Sequence, residues 1–375
     1  MKWFKLSAVW ILAASAVCPL FLHWTAPAPS SFRTHAAIDL AYVAAALICY
    51  CFYRAEWRLG TRRAVSLALL IFLLSTFVNK IHHVNVDLAS SYVPSIPNEA
   101  FQEQLQNAVT RLSPYDVPHS YRFLPNALVF CLQLGGVRFD AARDIYRLLV
   151  GLVLFYAIYR LASLYTSFVG SLLAMLLVAA VYPISFENYI GQLTDPLSHL
   201  SFVLAFLFLE TTDFAALLTA LLIGSLAKET VLALAGFYAF FTRRDKNHFA
   251  KAAILCAVSL AVYVLVRLII LHGAMHYGQV SGTTPAHIAE NLRDRKWIEL
   301  FFMTAGAYLP FLALGWRDTP PYLRNLVMFL VPVLLLSSLL FGWLAESRNY
   351  MPVVFVTAVI TARFFCGPPP GTPPQ

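Results

Sequence analysis

Charge is what this sequence has least of. Asp, Glu, Lys and Arg make up 12% of its 375 residues, roughly half the share of a soluble domain. Hydrophobic residues reach 59%, aromatics 14% and the mean hydropathy +0.68. A soluble fold has too little interior to hide that much apolar surface, which excludes an ordinary water-soluble enzyme and requires lipid as solvent. The six cysteines form no disulfide framework or zinc spacing. Cys18, Cys49, Cys51, Cys256 and Cys366 fall in or beside apolar runs and Cys131 stands alone in the longest polar stretch, so packing is the expected role of most of them. The net charge of +8 builds no basic face or tail. The 27 Lys and Arg are scattered in short clusters between apolar runs, which argues against a nucleic-acid partner and for a role in membrane topology. There is no internal repeat either.

What is present is a succession of apolar runs of helical length, predicting an all-α, polytopic transmembrane bundle in one integral-membrane domain over 1–375. Phe4–Trp24 follows Lys2 and Lys5 and is long enough to span, so it reads as a retained first helix rather than a cleaved signal peptide. Ala36–Tyr53 and Ala64–Val78 follow, separated by Arg54, Arg58, Arg62 and Arg63, which belong on the cytoplasmic side. The third helix therefore exits outward into the one long polar segment, 79–144, a periplasmic or extracellular loop. Within it Asn98–Leu112 and Leu124–Leu134 have partial helical periodicity and suit surface helices.

Ile145–Tyr165, Ser167–Tyr182 and Pro196–Leu209 are the next predicted spans. Phe214–Phe241 is a mostly apolar stretch of 28 residues interrupted by Lys228, Glu229 and Thr230. One continuous helix of that length would be about 42 Å long, against a hydrocarbon core of about 30 Å. Two short helices leave seven basic residues of the later loops inside (Arg243, Arg244, Lys246, Lys251, Arg317, Arg324 and Arg363) and four outside (Arg293, Arg295, Lys296 and Arg348). A single span reverses that score, so 214–241 is expected to be a broken helix pair. Ala252–Leu271, Leu300–Trp316, Leu326–Leu344 and Met351–Phe365 bring the total to about twelve crossings with both termini cytoplasmic. The tail 367–375, with five prolines, is expected to be disordered.

On this topology Asp87, Asp116, Glu187, Asp195, Lys228, Glu229, Glu346 and Arg348 gather at the outer leaflet, where ionisable groups mark function. Asp87, shortly after the third span, is a candidate general base for an acceptor hydroxyl or a solvated loop acid. His83 stands four residues before it, a spacing two metal ligands can share on a helix, but two ligands without a third do not make a metal site. Lys228 and Glu229 interrupt two apolar halves, either as a structural ion pair fixing the turn or as a positive site for a phosphate at the second half-helix. Arg348 can hold a phosphate through its guanidinium fork or pair with Glu346. Asp195, just before Pro196, is explained by capping of the following helix. Arg122, in the loop beside Tyr121, either orders that loop or contacts a donor. His199, inside a span, is expected to be a satisfied packing group rather than a proton relay.

The loop 79–144 with Asp87, together with Tyr121-Arg122-Phe123-Leu124-Pro125, Gln192-Leu193-Thr194-Asp195-Pro196, Ala227-Lys228-Glu229-Thr230 and Glu346-Ser347-Arg348-Asn349, resembles bacterial members of the GT-C superfamily of integral-membrane glycosyltransferases. The resemblance runs over about residues 64–366, on motifs that are each short. It departs from the familiar pattern in having two spans before the helix that leads into the loop and no Asp-x-Asp or Asp-Glu pair at Asp87. What it implies is inverting transfer of a sugar from a polyprenyl-phosphate donor, with Asp87 as base (Asp116 being a second candidate carboxylate in the loop), Arg122, Lys228, Glu229 and Arg348 around the donor phosphate, and Asp195, Glu346 and His83 shaping the cavity. The acceptor would be a glycan, lipid or protein hydroxyl; the resemblance fixes no cofactor and leaves a divalent cation open.

Two other classes fit the same sequence. A secondary transporter shares the span count and the broken helix, although it usually carries a repeat that is missing here. A catalytically inactive membrane scaffold of the same fold is the third. None of Asn79, Asn85, Asn98, Asn107 and Asn126 begins an Asn-x-Ser/Thr signal in the long loop, which leans toward a bacterial cytoplasmic membrane with the active face outward.

Overall fold

With no water to bond exposed N–H and C=O groups, an apolar chain closes its hydrogen bonds within helices. The computed structural model describes residues 98–110, 121–182, 193–242, 247–270, 285–295, 297–298, 304–305 and 308–369, and every regular element among these is helical. Two helices come first, α1 (Asn98–Thr110) and α2 (Phe123–Leu134). They are joined through Gln106 Nε2, which donates to Gln133 Oε1 at 2.8 Å. Then follow α3 (Phe139–Ser163), α4 (Phe168–Val181), α5 (Thr194–Glu210), α6 (Phe214–Ala227), α7 (Ala233–Phe241) and α8 (His248–Ile270). The series ends with α9 (Pro285–Arg293), α10 (Leu309–Gly315), α11 (Pro321–Phe341) and α12 (Met351–Cys366).

Among the described residues, four segments are long and apolar enough to cross a membrane: Phe139–Ser163, His248–Val266, Pro321–Phe341 and Ser347–Cys366. The first three spans predicted from the sequence lie outside the described residues. Of Leu300–Trp316, only Leu309–Gly315 is described as an α-helix. Several helices begin earlier than hydropathy suggests. α3 starts at Phe139, so Asp140, Arg143 and Asp144 belong to its first turns rather than to the loop, and α11 starts at Pro321, whose fixed φ suits a first helical position.

Local chemistry sets several ends. Ser167 caps α4 by accepting the Gly170 N–H at 3.3 Å, and Asp213 caps α6 by accepting the Ala216 N–H at 3.1 Å. Between α5 and α6, Thr212 takes the left-handed conformation at φ 59°, an unusual place for a β-branched residue and the sharpest feature of this helical hairpin.

The core runs along α5 and α12. Residues Met351 to Ala362 of α12 are buried without interruption, and Phe202, Phe206 and Phe355 are among the largest fully buried side chains. The periphery is the reverse. Phe240, Phe249, Leu260, Ile269 and Leu314 are all more than half exposed, an outer surface that suits lipid rather than water. Cys256 and Cys131 are exposed as well, so the expected packing role does not hold for Cys256.

At one end of the bundle, Arg363 Nη1 donates to the Tyr165 carbonyl (2.6 Å), Thr166 Oγ1 donates to the Gly367 carbonyl (2.9 Å) and Tyr322 Oη donates to the Phe206 carbonyl (2.6 Å). Gly367, where the Pro-rich tail starts, is thus fastened to Thr166; 370–375 lies outside the described residues.

The 214–241 stretch is divided. α6 stops at Ala227, Lys228 is extended (φ −160°, ψ 126°), and a 3-10 turn, Glu229–Leu232, leads into α7. The break is held against α5 at Gly224, where an added Cβ would lie 2.7 Å from Ser201 Cβ and 2.7 Å from Val231 Cγ1. Only glycine permits this approach. Gly224→Ala is therefore expected to force α5 and the turn apart and to cost about 1–3 kcal/mol, read as a lower unfolding temperature of the purified protein in detergent, whereas Gly236→Ala, with its nearest neighbour at 3.8 Å, should change it little.

Candidate functional site

At the opposite end from Tyr165, four segments deliver ionisable side chains into one buried cluster. Asp195, in the first turn of α5, is completely shielded from solvent. Its two oxygens are divided between two cations: Lys228 Nζ donates to Oδ1 at 3.2 Å and Arg348 Nη1 to Oδ2 at 2.9 Å. Lys228 also donates to Asn349 Oδ1 at 2.6 Å. Arg348 reaches Glu346 Oε2 through Nη2 (3.0 Å) and Nε (3.3 Å), and Asn349 Nδ2 donates to that same oxygen at 3.1 Å. Burial alone would raise the Glu346 carboxyl, but Arg348 and Lys228 outweigh it and hold Glu346 below its ordinary range.

A second pair borders this group. Arg122 Nη2 donates to Glu229 Oε1 at 3.4 Å, with 11% and 20% of the two side chains exposed. Burial would lower the Arg122 value, yet the Glu229 charge beside it prevails and raises it. Arg122 also senses Arg348 and Asp195, so the two pairs form one electrostatic unit. Three cations, Arg122, Lys228 and Arg348, face three carboxylates, Asp195, Glu229 and Glu346. An isolated charge at this depth would be prohibitive, whereas a matched and hydrogen-bonded set is tolerated.

The backbone explains why these residues meet. The extended conformation of Lys228 between a helix and a 3-10 turn directs its side chain toward Asp195, while Glu229 faces Arg122. Tyr146 Oη on α3 donates to the Leu193 carbonyl at 2.7 Å, fixing the entry to α5. Asn126 Nδ2 donates to the Arg122 carbonyl at 2.8 Å, fixing the entry to α2. His199 supports the cluster from below, with Nε2 3.1 Å from the Arg348 carbonyl and Nδ1 3.3 Å from Tyr182 Oη. In the neutral ring Nε2 carries the proton, because a carbonyl can only accept. The Glu346 segment is held from outside by α9: Asn291 Oδ1 accepts the Leu344 N–H at 2.9 Å and its Nδ2 donates to the Gly342 carbonyl at 2.9 Å.

Six of the residues singled out in the sequence thus come together: Arg122, Asp195, Lys228, Glu229, Glu346 and Arg348. Asp87, Asp116 and His83 lie outside the described residues. One expectation needs correction. Asp195 does not cap α5, because its carboxylate is committed to Lys228 and Arg348 and no side chain caps that helix. Lys228 and Glu229 each reach a partner on another segment, Asp195 and Arg122. Asn349 and Asn291 are the contributors sequence reading missed. Asn349 lies inside a quoted motif, but a neutral amide in a polar turn gives no sign that it bonds a lysine from another helix; Asn291 gives no sign at all. Arg143 was passed over too; it is nearly buried, lies over the Phe139 ring and bonds Asp144 Oδ1 at 3.2 Å.

Among the described residues no three His, Cys, Asp or Glu side chains converge as a metal site. The chain matches no protein-family model, no curated protein and no solved structure, and the chemistry has to be argued from the cluster itself.

Removing one partner of such a set leaves a buried charge uncompensated. Asp195→Ala is expected to destabilise the protein by about 3–5 kcal/mol, seen as loss of folded material or a sharp drop in unfolding temperature. Asp195→Asn combined with Arg348→Met removes one charge of each sign and should recover part of that loss; equal damage in the double variant would refute electrostatic compensation as the basis of the cluster.

Proposed function

We propose that the chain is a multi-pass membrane glycosyltransferase of about twelve spans, moving a sugar from a polyprenyl-phosphate donor to a glycan, lipid or protein hydroxyl at the outer face of a bacterial cytoplasmic membrane. The observation that carries this reading is the convergence of Arg122, Lys228 and Arg348 at a helix break. Cations placed next to apolar helices, each held by a carboxylate that another anion can replace, suit a phosphate attached to a lipid. The apolar exterior and the four helices long enough to cross a membrane are compatible with a donor that arrives laterally.

In this reaction the acceptor oxygen attacks the anomeric carbon as its proton passes to a carboxylate, Asp87 in the leading assignment and Asp116 in the second. The bond between the anomeric carbon and the phosphate oxygen breaks, and the electron pair leaves with the lipid phosphate. The departing phosphate gains negative charge, which a cation of the cluster that gives up its carboxylate is suited to stabilise. The chain's own residues supply proton acceptance, orientation and charge, and the sequence leaves a divalent cation open as an aid.

A transporter is the second reading, favoured by the same break, because discontinuous helices often line a central binding site. The two separate in one experiment. Purified protein is incubated with a panel of polyprenyl-phosphate sugars and acceptor hydroxyls, and mass spectrometry scores free polyprenyl phosphate. Release is expected with the wild type, and Asp87→Asn is expected to reduce it by at least about 100-fold, within the range of general-base contributions. Unchanged release in Asp87→Asn would move the base to another carboxylate, while no release alongside solute uptake into proteoliposomes would replace the transferase with the transporter.

A further inference from the structure

The three cations of the cluster are not equally available. Lys228 and Arg348 each bind the wholly buried Asp195, and each has an additional partner in Asn349 or Glu346. Arg122 is held far more loosely. Among the described residues its one side-chain bond is the 3.4 Å contact to Glu229, beyond the usual N–H···O range of 2.7–3.2 Å. Its Nε is buried and has no hydrogen-bond partner among the described residues, leaving one side of the guanidinium fork unused by them.

A small cleft of about 10 Å³ lies beside this pair, room for about one water, so a phosphate fits there only in the space that Glu229 vacates. Glu229 lines it together with Tyr121 and Ser225, and Leu232, Val262 and Val266 form its apolar wall. Glu229 is the one charged residue of the lining, and it is the residue that Arg122 bonds. Two anions cannot share that position, and a phosphate has the oxygen geometry to engage both Nη2 and the unused Nε, which the 3.4 Å carboxylate contact does not.

We infer that Glu229 is a built-in stand-in for a phosphate, occupying Arg122 until the phosphate of a lipid ligand displaces it. This rests on the proposed donor class and adds to it: Arg122 is the cation that engages the phosphate directly, Lys228 and Arg348 stay locked on Asp195, and Glu229 withdraws. The apolar wall of the cleft favours a lipid-borne phosphate over free phosphate.

The test measures binding to the full chain in nanodiscs by native mass spectrometry, with a short polyprenyl monophosphate and, separately, inorganic phosphate. Glu229→Gln is expected to bind the polyprenyl phosphate at least about 10-fold more tightly than the wild type, and Arg122→Gln at least about 10-fold more weakly. Inorganic phosphate should bind far more weakly than the lipid to all three. A wild-type measurement covers the case in which a variant fails to fold: carbodiimide labelling of Glu229, located by peptide mass spectrometry, should rise when polyprenyl phosphate is added. Lipid binding that Glu229→Gln does not strengthen, with labelling unchanged by ligand, overturns the exchange and leaves the donor reading standing. Inorganic phosphate binding as tightly as the lipid overturns the lipid source. Failure of the wild type and of a folded Glu229→Gln to bind either probe overturns the donor reading and the exchange with it.

Discussion

Asp195 has no solvent to stabilise its charge, and the arrangement of this end of the bundle follows from that. A carboxylate so buried needs cations on both oxygens, and it draws them from the break after α6 and from the turn before α12. Those cations in turn require partners, which brings in Glu346 and Asn349. Three helices that a lipid-facing surface would leave free to slide are thereby held in register. Apolar packing is non-directional; a bridged carboxylate admits few arrangements. Fixing Gly342 and Leu344 from α9 extends the same constraint to the chain entering the Glu346 turn.

The sequence displays this organisation unevenly. The break at Lys228 is legible because a charged pair cannot sit unpartnered in the middle of an apolar run. The importance of Glu346 and Arg348 is legible for a similar reason, since they lie at the edge of one. Their pairing is not. Lys228 and Arg348 stand 33 and 153 residues from Asp195, and such distances are bridged only by helix packing, which leaves no local trace. The Asp-Pro step at the start of α5 suggests capping, and the local rule yields because two buried cations offer a carboxylate more than backbone N–H groups do. Helix boundaries fail for another reason. Hydropathy halts at Asp140, Arg143 and Asp144, but a helix does not, because those side chains find partners or an aromatic face at its first turns.

The break itself is a compromise between two requirements. A continuous helix would satisfy every backbone group but would aim Lys228 and Glu229 about 100° apart around one axis, without the freedom to reach partners on different neighbours. An extended residue followed by a 3-10 turn sacrifices some regular hydrogen bonding to point them independently. What remains of the helix is repaired at once: the Lys228 N–H closes onto the Gly224 carbonyl at 2.7 Å, and the Val231 N–H returns to the Lys228 carbonyl at 3.2 Å. Gly224 is needed at this place because Ser201 of α5 and Val231 of the turn itself both lie where a Cβ would stand.

Electrical balance also constrains what the cluster can do. With three cations against three carboxylates, any further anion must displace a carboxylate or arrive with a cation or proton of its own. The carboxylates differ in how easily they can leave. Asp195 is sealed and held by two cations, and Glu346 receives two guanidinium bonds and an amide bond. Glu229 lies at the rim, keeps a fifth of its surface exposed and meets Arg122 at the longest distance in the set. A gradient from a rigid centre to a yielding edge therefore arises from geometry alone. Under the proposed exchange, the centre maintains helix register while the edge changes partner, so that stability and ligand response need not depend on the same bond.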